Sequence, residues 1–158
     1  MSADVRLTVN GDPVVLPVDG GPLLFVLRNR LGLKATRFGC GLEQCGACVV
    51  WIDGEARFSC TLPPEALDGA HVVTAEGLSA DPVGRALLEA FEAEQAGQCG
   101  YCLTGILMSA FTLLRKDPRP GRPAIVAALD RHLCRCGAHG GILRAVERAA
   151  ARLAGRDA

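Results

Sequence analysis

Apolar and polar residues alternate from Val5 to Val9, with Val5, Leu7 and Val9 set against Arg6 and Thr8, the period of a half-buried strand. Asn10-Gly11-Asp12-Pro13 supplies a turn and Val14-Val15-Leu16-Pro17-Val18 the returning strand, so the chain opens with a predicted hairpin. Pro22, after Gly20-Gly21, suits the first position of a short helix in which Leu23, Leu24, Leu27 and Leu31 are spaced helically and which ends near Gly32. From residue 39 to 48 glycines and cysteines interleave as a loop. A second hairpin is predicted from Val49-Val50-Trp51-Ile52, Asp53-Gly54 and Glu55-Ala56-Arg57-Phe58, and a last strand at His71-Val72-Val73-Thr74. Near residue 76 the hydrophobic period changes from 2 to 3.6, since Val83, Ala86, Leu87, Ala90 and Phe91 line one helical face behind an Asp81-Pro82 start. Further helices fit Leu103–Lys116, about Pro123–Leu133, and Ile142–Leu153, with Pro118, Pro120 and Pro123 in the one long break. The pattern therefore predicts a β-rich half and a half of four helices in two pairs, each pair enclosing a short cysteine-bearing turn. The boundary falls around Ala75–Ser79, dividing the chain into residues 1–76 and 77–158.

Composition narrows the function classes. With 49% hydrophobic and 22% charged residues over 158 positions, the chain can bury a core and fold. Seventeen basic residues balance seventeen acidic ones, which excludes the strongly basic surface that nucleic acid or an anionic membrane requires. Residues 95–114 carry no charge, but their apolar part, Tyr101 to Leu114, has the length of a buried helix and is short of a membrane span. The start Met-Ser-Ala-Asp-Val-Arg leads into strand-like alternation without an apolar signal core, which places the chain in a reducing cytoplasm.

Eight cysteines change the picture most. Cys40-x4-Cys45-x2-Cys48, with Cys60 downstream, has the plant-type [2Fe–2S] spacing. The glycines suit that chemistry: an oxidised centre with four thiolates carries a net charge of about −2, and Gly39, Gly41 and Gly46 let backbone N–H groups wrap closely around sulfur. The other four, Cys99-x2-Cys102 and Cys134-x-Cys136, lie in the turns between paired helices, each pair preceding a helix whose N-terminal N–H groups favour anionic sulfur. Spacing alone leaves this second group open to a zinc ion held by four cysteines, with His139 offering nitrogen in place of one sulfur. The Gly-rich three-cysteine loop separates the first group from zinc knuckles. No Rieske pair, C-x2-C-H haem motif, G-x-G-x-x-G or Walker A loop occurs, so any flavin, nicotinamide or nucleotide belongs to another chain. His132 is expected to be a solvated helix residue and His71 a strand residue, while Gln98, immediately before Cys99, is the one uncharged polar residue that stands out, with a surface amide as its plain alternative.

Four segments together resemble one family. Gly39-Cys40-Gly41-Leu42-Glu43-Gln44-Cys45-Gly46-Ala47-Cys48, Ser59-Cys60, Gln98-Cys99-Gly100-Tyr101-Cys102 and Leu133-Cys134-Arg135-Cys136-Gly137 are similar to the iron–sulfur small subunits of molybdenum hydroxylases, related to xanthine dehydrogenase and aldehyde oxidoreductase. The resemblance implies an α+β chain: an N-terminal β-grasp ferredoxin-like domain with one [2Fe–2S] cluster, then an all-α four-helix domain whose second [2Fe–2S] cluster takes the place of zinc on Cys99, Cys102, Cys134 and Cys136. It implies an electron-transfer subunit of an oxidoreductase that holds no substrate. The second cluster would lie nearest a molybdopterin cofactor owned by a large subunit, with Gln98 and Cys136 at positions that contact the pterin. The plant-type cluster would pass electrons to an FAD subunit or a cytochrome while an N-heterocycle or aldehyde is oxidised. Cys134-Arg135-Cys136-Gly137-Ala138-His139 looks most like the small subunits of isoquinoline and nicotinate oxidoreductases, though Gly140-Gly141 departs from the larger, often basic second residue usual there. Two other classes fit the cysteines without the resemblance, a zinc-binding interaction module and a free ferredoxin-like carrier, and colour separates the first of these from an iron–sulfur protein.

Overall fold

The computed structural model describes residues 4–17 and 21–155. Strand β1 (Asp4–Val9) turns through Asn10-Gly11 into β2 (Asp12–Pro17), in antiparallel register from Asp4 opposite Pro17 to Val9 opposite Asp12. Val18, expected to close that hairpin, lies outside the described residues. Strands β3 (Val49–Ile52) and β4 (Glu55–Phe58) form the second hairpin, closed by Asp53 and Gly54, both at positive φ as a two-residue turn of this hand requires. Strand β5 (His71–Val73) enters the middle, parallel to β1 and antiparallel to β3, so the sheet order is β2-β1-β5-β3-β4.

The short predicted helix differs in kind. Helix α1 (Leu23–Phe25) has only one turn before it widens into π-helical Val26–Arg30, with Leu31 N–H bonded to the Val26 carbonyl and Leu33 N–H to the Leu27 carbonyl. Pro22 caps it from outside the first helical position, because its extended ψ of 149° turns its carbonyl to the N–H groups of Phe25 and Val26. The wider turn lets Leu23, Val26 and Leu27 reach the same sheet face.

Four longer helices follow: α2 (Pro82–Ala93), α3 (Leu103–Lys116), α4 (Arg122–Leu129) and α5 (His139–Leu153). The Asp81 carboxylate caps α2 by accepting from Val83 N–H at 2.8 Å. Helix α4 stops at Leu129, four residues before the expected end, because the N–H of Leu133 is drawn 3.0 Å to the carbonyl of Cys45. Helix α5 begins at His139, three residues before the expected Ile142.

Strand β3 shows how the halves join. Val50 and Ile52 face α1 and the smaller core with Leu7, Leu27 and Val72, whereas Val49 and Trp51 face the larger core with Phe111, Ile106 and Leu87. Phe111 meets Trp51 edge-on at 6.2 Å between ring centroids. Gly105 lets α3 come this close, since a Cβ there would stand 2.0 Å from the carbonyl oxygen of Gly46. Among the described residues no helix is long and apolar enough to cross a membrane.

Candidate metal centres

None of the eight cysteines is in a disulfide. Those of the first group sort into two pairs. Cys40 and Cys45 lie together on the partly exposed loop, with the Cys40 N–H 3.4 Å from the Cys45 sulfur. Cys48 and Cys60 form a buried pair, brought together because Ser59 donates to the Cys48 carbonyl through both its N–H (3.2 Å) and its hydroxyl (2.7 Å). The N–H groups of Leu42 and Gln44 point at the Cys40 sulfur, at 3.3 and 3.2 Å. Led by the Leu42 donor, they bring the Cys40 thiol down to about 7, whereas burial pushes Cys48 up to about 12. Gly39 keeps the loop tight, since a Cβ there would sit 2.5 Å from the Cys45 sulfur.

The second group has the same plan. Cys99 pairs with Cys136, and Cys102 with Cys134. Cys99 is exposed and its thiol is lowered, first by the Tyr101 N–H; burial pushes Cys102 up to about 12. For Cys134 burial acts upward, but the Ala138 N–H at the start of α5, 3.4 Å from its sulfur, helps bring the thiol below its usual value. Among the described residues no three His, Cys, Asp or Glu side chains crowd around one ion-sized point. Two thiols at each of two positions match a two-iron centre, in which every iron takes two thiolates, so the donor set of each group fits one [2Fe–2S] cluster.

The two groups contribute to one cavity. A cavity of about 520 Å³ is lined by Cys45 of the first group and Cys102 and Cys134 of the second, together with Tyr101 and Leu133. The peptide contact from Leu133 N–H to the Cys45 carbonyl ties the groups together, and the Tyr101 hydroxyl donates to the Phe38 carbonyl across the same junction. Gln98 is exposed, and its amide nitrogen donates to the Cys136 carbonyl at 3.4 Å, so the two residues expected at the pterin share one edge of the second group. His71 is an exposed strand residue and His139 an exposed residue at the start of α5.

His132 is a correction. It is 5% exposed rather than solvated, with Nε2 2.7 Å from the Ser109 hydroxyl and Nδ1 buried against Gly46 without a partner. Burial, helped by the charge of Arg131, pushes its imidazole down to about 4. The early end of α4 turns it inward. Nothing in the helical spacing signals this, and no local pattern signals the contacts of Glu43, Thr61 and Leu133 either, because they span distant segments.

Comparison with known proteins agrees with this geometry. Residues 7–79 match the family described as "2Fe-2S iron-sulfur cluster binding domain", and residues 74–147 the family described as "[2Fe-2S] binding domain". A nicotinate dehydrogenase subunit of Pseudomonas putida is 46% identical over 95% of this chain and 96% of its own. The alpha subunit of isoquinoline 1-oxidoreductase of Brevundimonas diminuta is also 46% identical, over 92% and 97%. In the crystal structure of quinoline 2-oxidoreductase from Pseudomonas putida 86, one chain superposes with a TM-score of 0.89 at 34% identity, covering 98% of this chain and 97% of that one. The aldehyde oxidoreductase of Desulfovibrio desulfuricans superposes with a TM-score of 0.90 at 34% identity, this chain covering 18% of its length.

Proposed function

The chain belongs to the iron–sulfur small subunits of the molybdenum hydroxylases, oxidoreductase subunits with two [2Fe–2S] sites, and on that premise we propose that it relays electrons from the molybdenum cofactor of a large subunit to an FAD subunit or a cytochrome while an N-heterocycle or aldehyde is oxidised on the large subunit. Residues 1–76 form the ferredoxin-like β-grasp unit, in which Cys40, Cys45, Cys48 and Cys60 hold one centre. Residues 77–158 form the four-helix unit, in which Cys99, Cys102, Cys134 and Cys136 hold the other. Each centre, when bound, accepts and releases one electron.

The observation that carries this reading is that Cys45 of one thiol group and Cys102 and Cys134 of the other line one cavity, beside the Leu133–Cys45 peptide contact. This chain's own residues do three things there. Cys48, Cys60 and Cys102 are buried, which keeps water from the inner side of each site. The N–H groups of Leu42, Gln44 and Ala138 stabilise charge on sulfur. Gln98 and Cys136, on an exposed edge, meet the pterin of the large subunit, so electrons enter there and leave by the loop of Cys40 and Cys45. The eight thiols suit a reducing cytoplasm.

Anaerobically purified protein should contain about four irons and four labile sulfides per chain, from two [2Fe–2S] centres with four cysteines each. Dithionite should produce two distinguishable paramagnetic signals. Zinc at full occupancy with no visible absorption would overturn the reading. With the large subunit bound, Gln98→Ala should slow reduction of the centres by substrate and leave reduction by dithionite unchanged.

A further inference from the structure

We propose that Glu43, clasped by Thr61, is a positioning residue that sets how readily the centre in the Gly/Cys loop takes up an electron. The inference rests on the reading of Cys40, Cys45, Cys48 and Cys60 as the ligands of one [2Fe–2S] centre. Glu43 stands at φ +58°, in the left-handed region that costs an ordinary L-residue and that Gly41 and Gly46 occupy freely in the same loop. Its side chain supplies a reason for a glutamate there: the Thr61 hydroxyl donates to Glu43 Oε1, and Thr61 directly follows Cys60. The left-handed turn lies between the two amides that serve one sulfur, Leu42 N–H at 3.3 Å and Gln44 N–H at 3.2 Å from Cys40 Sγ. Consecutive amides around a left-handed residue turn to one side and form an anion-binding concavity.

The clasp also crosses the site. Ser59 fixes the inner end of the loop through the Cys48 carbonyl. Glu43 and Thr61 fix its outer end, where Cys40 lies, to the segment that carries Cys60. Donors aimed at a ligand sulfur favour the reduced, more negative state of a cluster, and hydrogen bonds to the sulfurs are among the determinants of its potential. A loop released from Thr61 loses the left-handed turn and with it the aim of the Leu42 and Gln44 amides.

The test is a redox titration of the intact chain with both centres loaded, each followed by its own paramagnetic signal. Thr61→Val keeps the carboxylate and removes its donor; Glu43→Ala removes the clasp altogether. Both should lower the midpoint of the loop centre by about tenfold in its reduction equilibrium, which is 59 mV for one electron. The centre of Cys99, Cys102, Cys134 and Cys136 should not move. Glu43→Gln, whose amide oxygen still accepts from Thr61, should return the midpoint to the wild-type value. Unchanged midpoints in Thr61→Val and Glu43→Ala, equal shifts at both centres, or a Glu43→Gln shift as large as that of Glu43→Ala would each overturn the proposal. If Thr61→Val cannot hold iron in the loop, retention of that iron by Glu43→Gln supports the clasp and its loss there overturns it. A wild-type chain without a loop [2Fe–2S] signal removes the underlying reading itself, before any variant is compared.

Discussion

Ser109 supplies the hydroxyl partner of His132, whose other ring nitrogen is buried without one. Because burial pushes the imidazole down to about 4, the ring stays neutral near pH 7 and can share one proton with the hydroxyl. Ser109→Ala strands the second nitrogen as well, at a cost of about 1–3 kcal/mol. Its thermal midpoint should fall by several degrees, on the order of 2–4 °C per kcal/mol at this chain length, whereas Ser109→Thr, which restores a hydroxyl, should recover part of the loss. A Ser109→Ala midpoint equal to wild type would show that the contact contributes nothing to stability. At this scale the sequence spoke for the cysteines, whose chemistry is carried by residue type and spacing. It pointed the wrong way on His132, which the helical spacing put in solvent and which is buried against Gly46, from a loop eighty-six residues away.

Helices α2 and α5 are tied at one end by Glu94, which accepts from Arg144 Nε at 3.2 Å and from an Arg148 guanidinium nitrogen at 3.0 Å. Arg148 first, then Arg144, holds the carboxyl below the ordinary glutamate value of 4.5. A carboxyl lowered on folding stabilises the folded state above its unfolded value and loses that contribution as it is protonated. The gap in thermal midpoint between wild type and Glu94→Gln should therefore be full above about pH 4.5 and close as the pH falls below it. Added salt should narrow it too, since the pair is solvent-exposed. A gap unchanged by acid and salt would mean that Glu94 acts by packing. Elements with local signals were legible from sequence: Asp53-Gly54 dictated the β3–β4 hairpin, and the apolar stretch from Tyr101 to Leu114 signalled α3, which has the expected bounds Leu103–Lys116. The π-helical widening after Phe25 and the early stop of α4 were not legible, because each answers to a distant partner, the sheet face in one case and the Cys45 carbonyl in the other.

Across the whole molecule, the larger core draws Cys48, Val49, Phe58 and Cys60 from the sheet half and Ile106, Phe111, Ile142 and Val146 from the helices, so the two thiol groups are held in one packed body. The proposed ligand sets draw on separate cysteines. Cys45→Ser should abolish the signal of the loop centre and leave that of Cys99, Cys102, Cys134 and Cys136, and Cys134→Ser should do the reverse; loss of both signals in a folded variant would contradict the assignment. The pairing of sulfurs has one more consequence. Thiols held two by two within reach of one another are also substrates for dioxygen, which takes two electrons and two protons from a pair as a disulfide closes. Thiolate is favoured at Cys40, Cys99 and Cys134, whose thiols are lowered, and disfavoured at Cys48 and Cys102, which burial keeps protonated. A bridged pair has no thiolate left to offer iron. Metal-free chain exposed to air should therefore take up iron only after those bridges are reduced, which iron content before and after a thiol reductant would check.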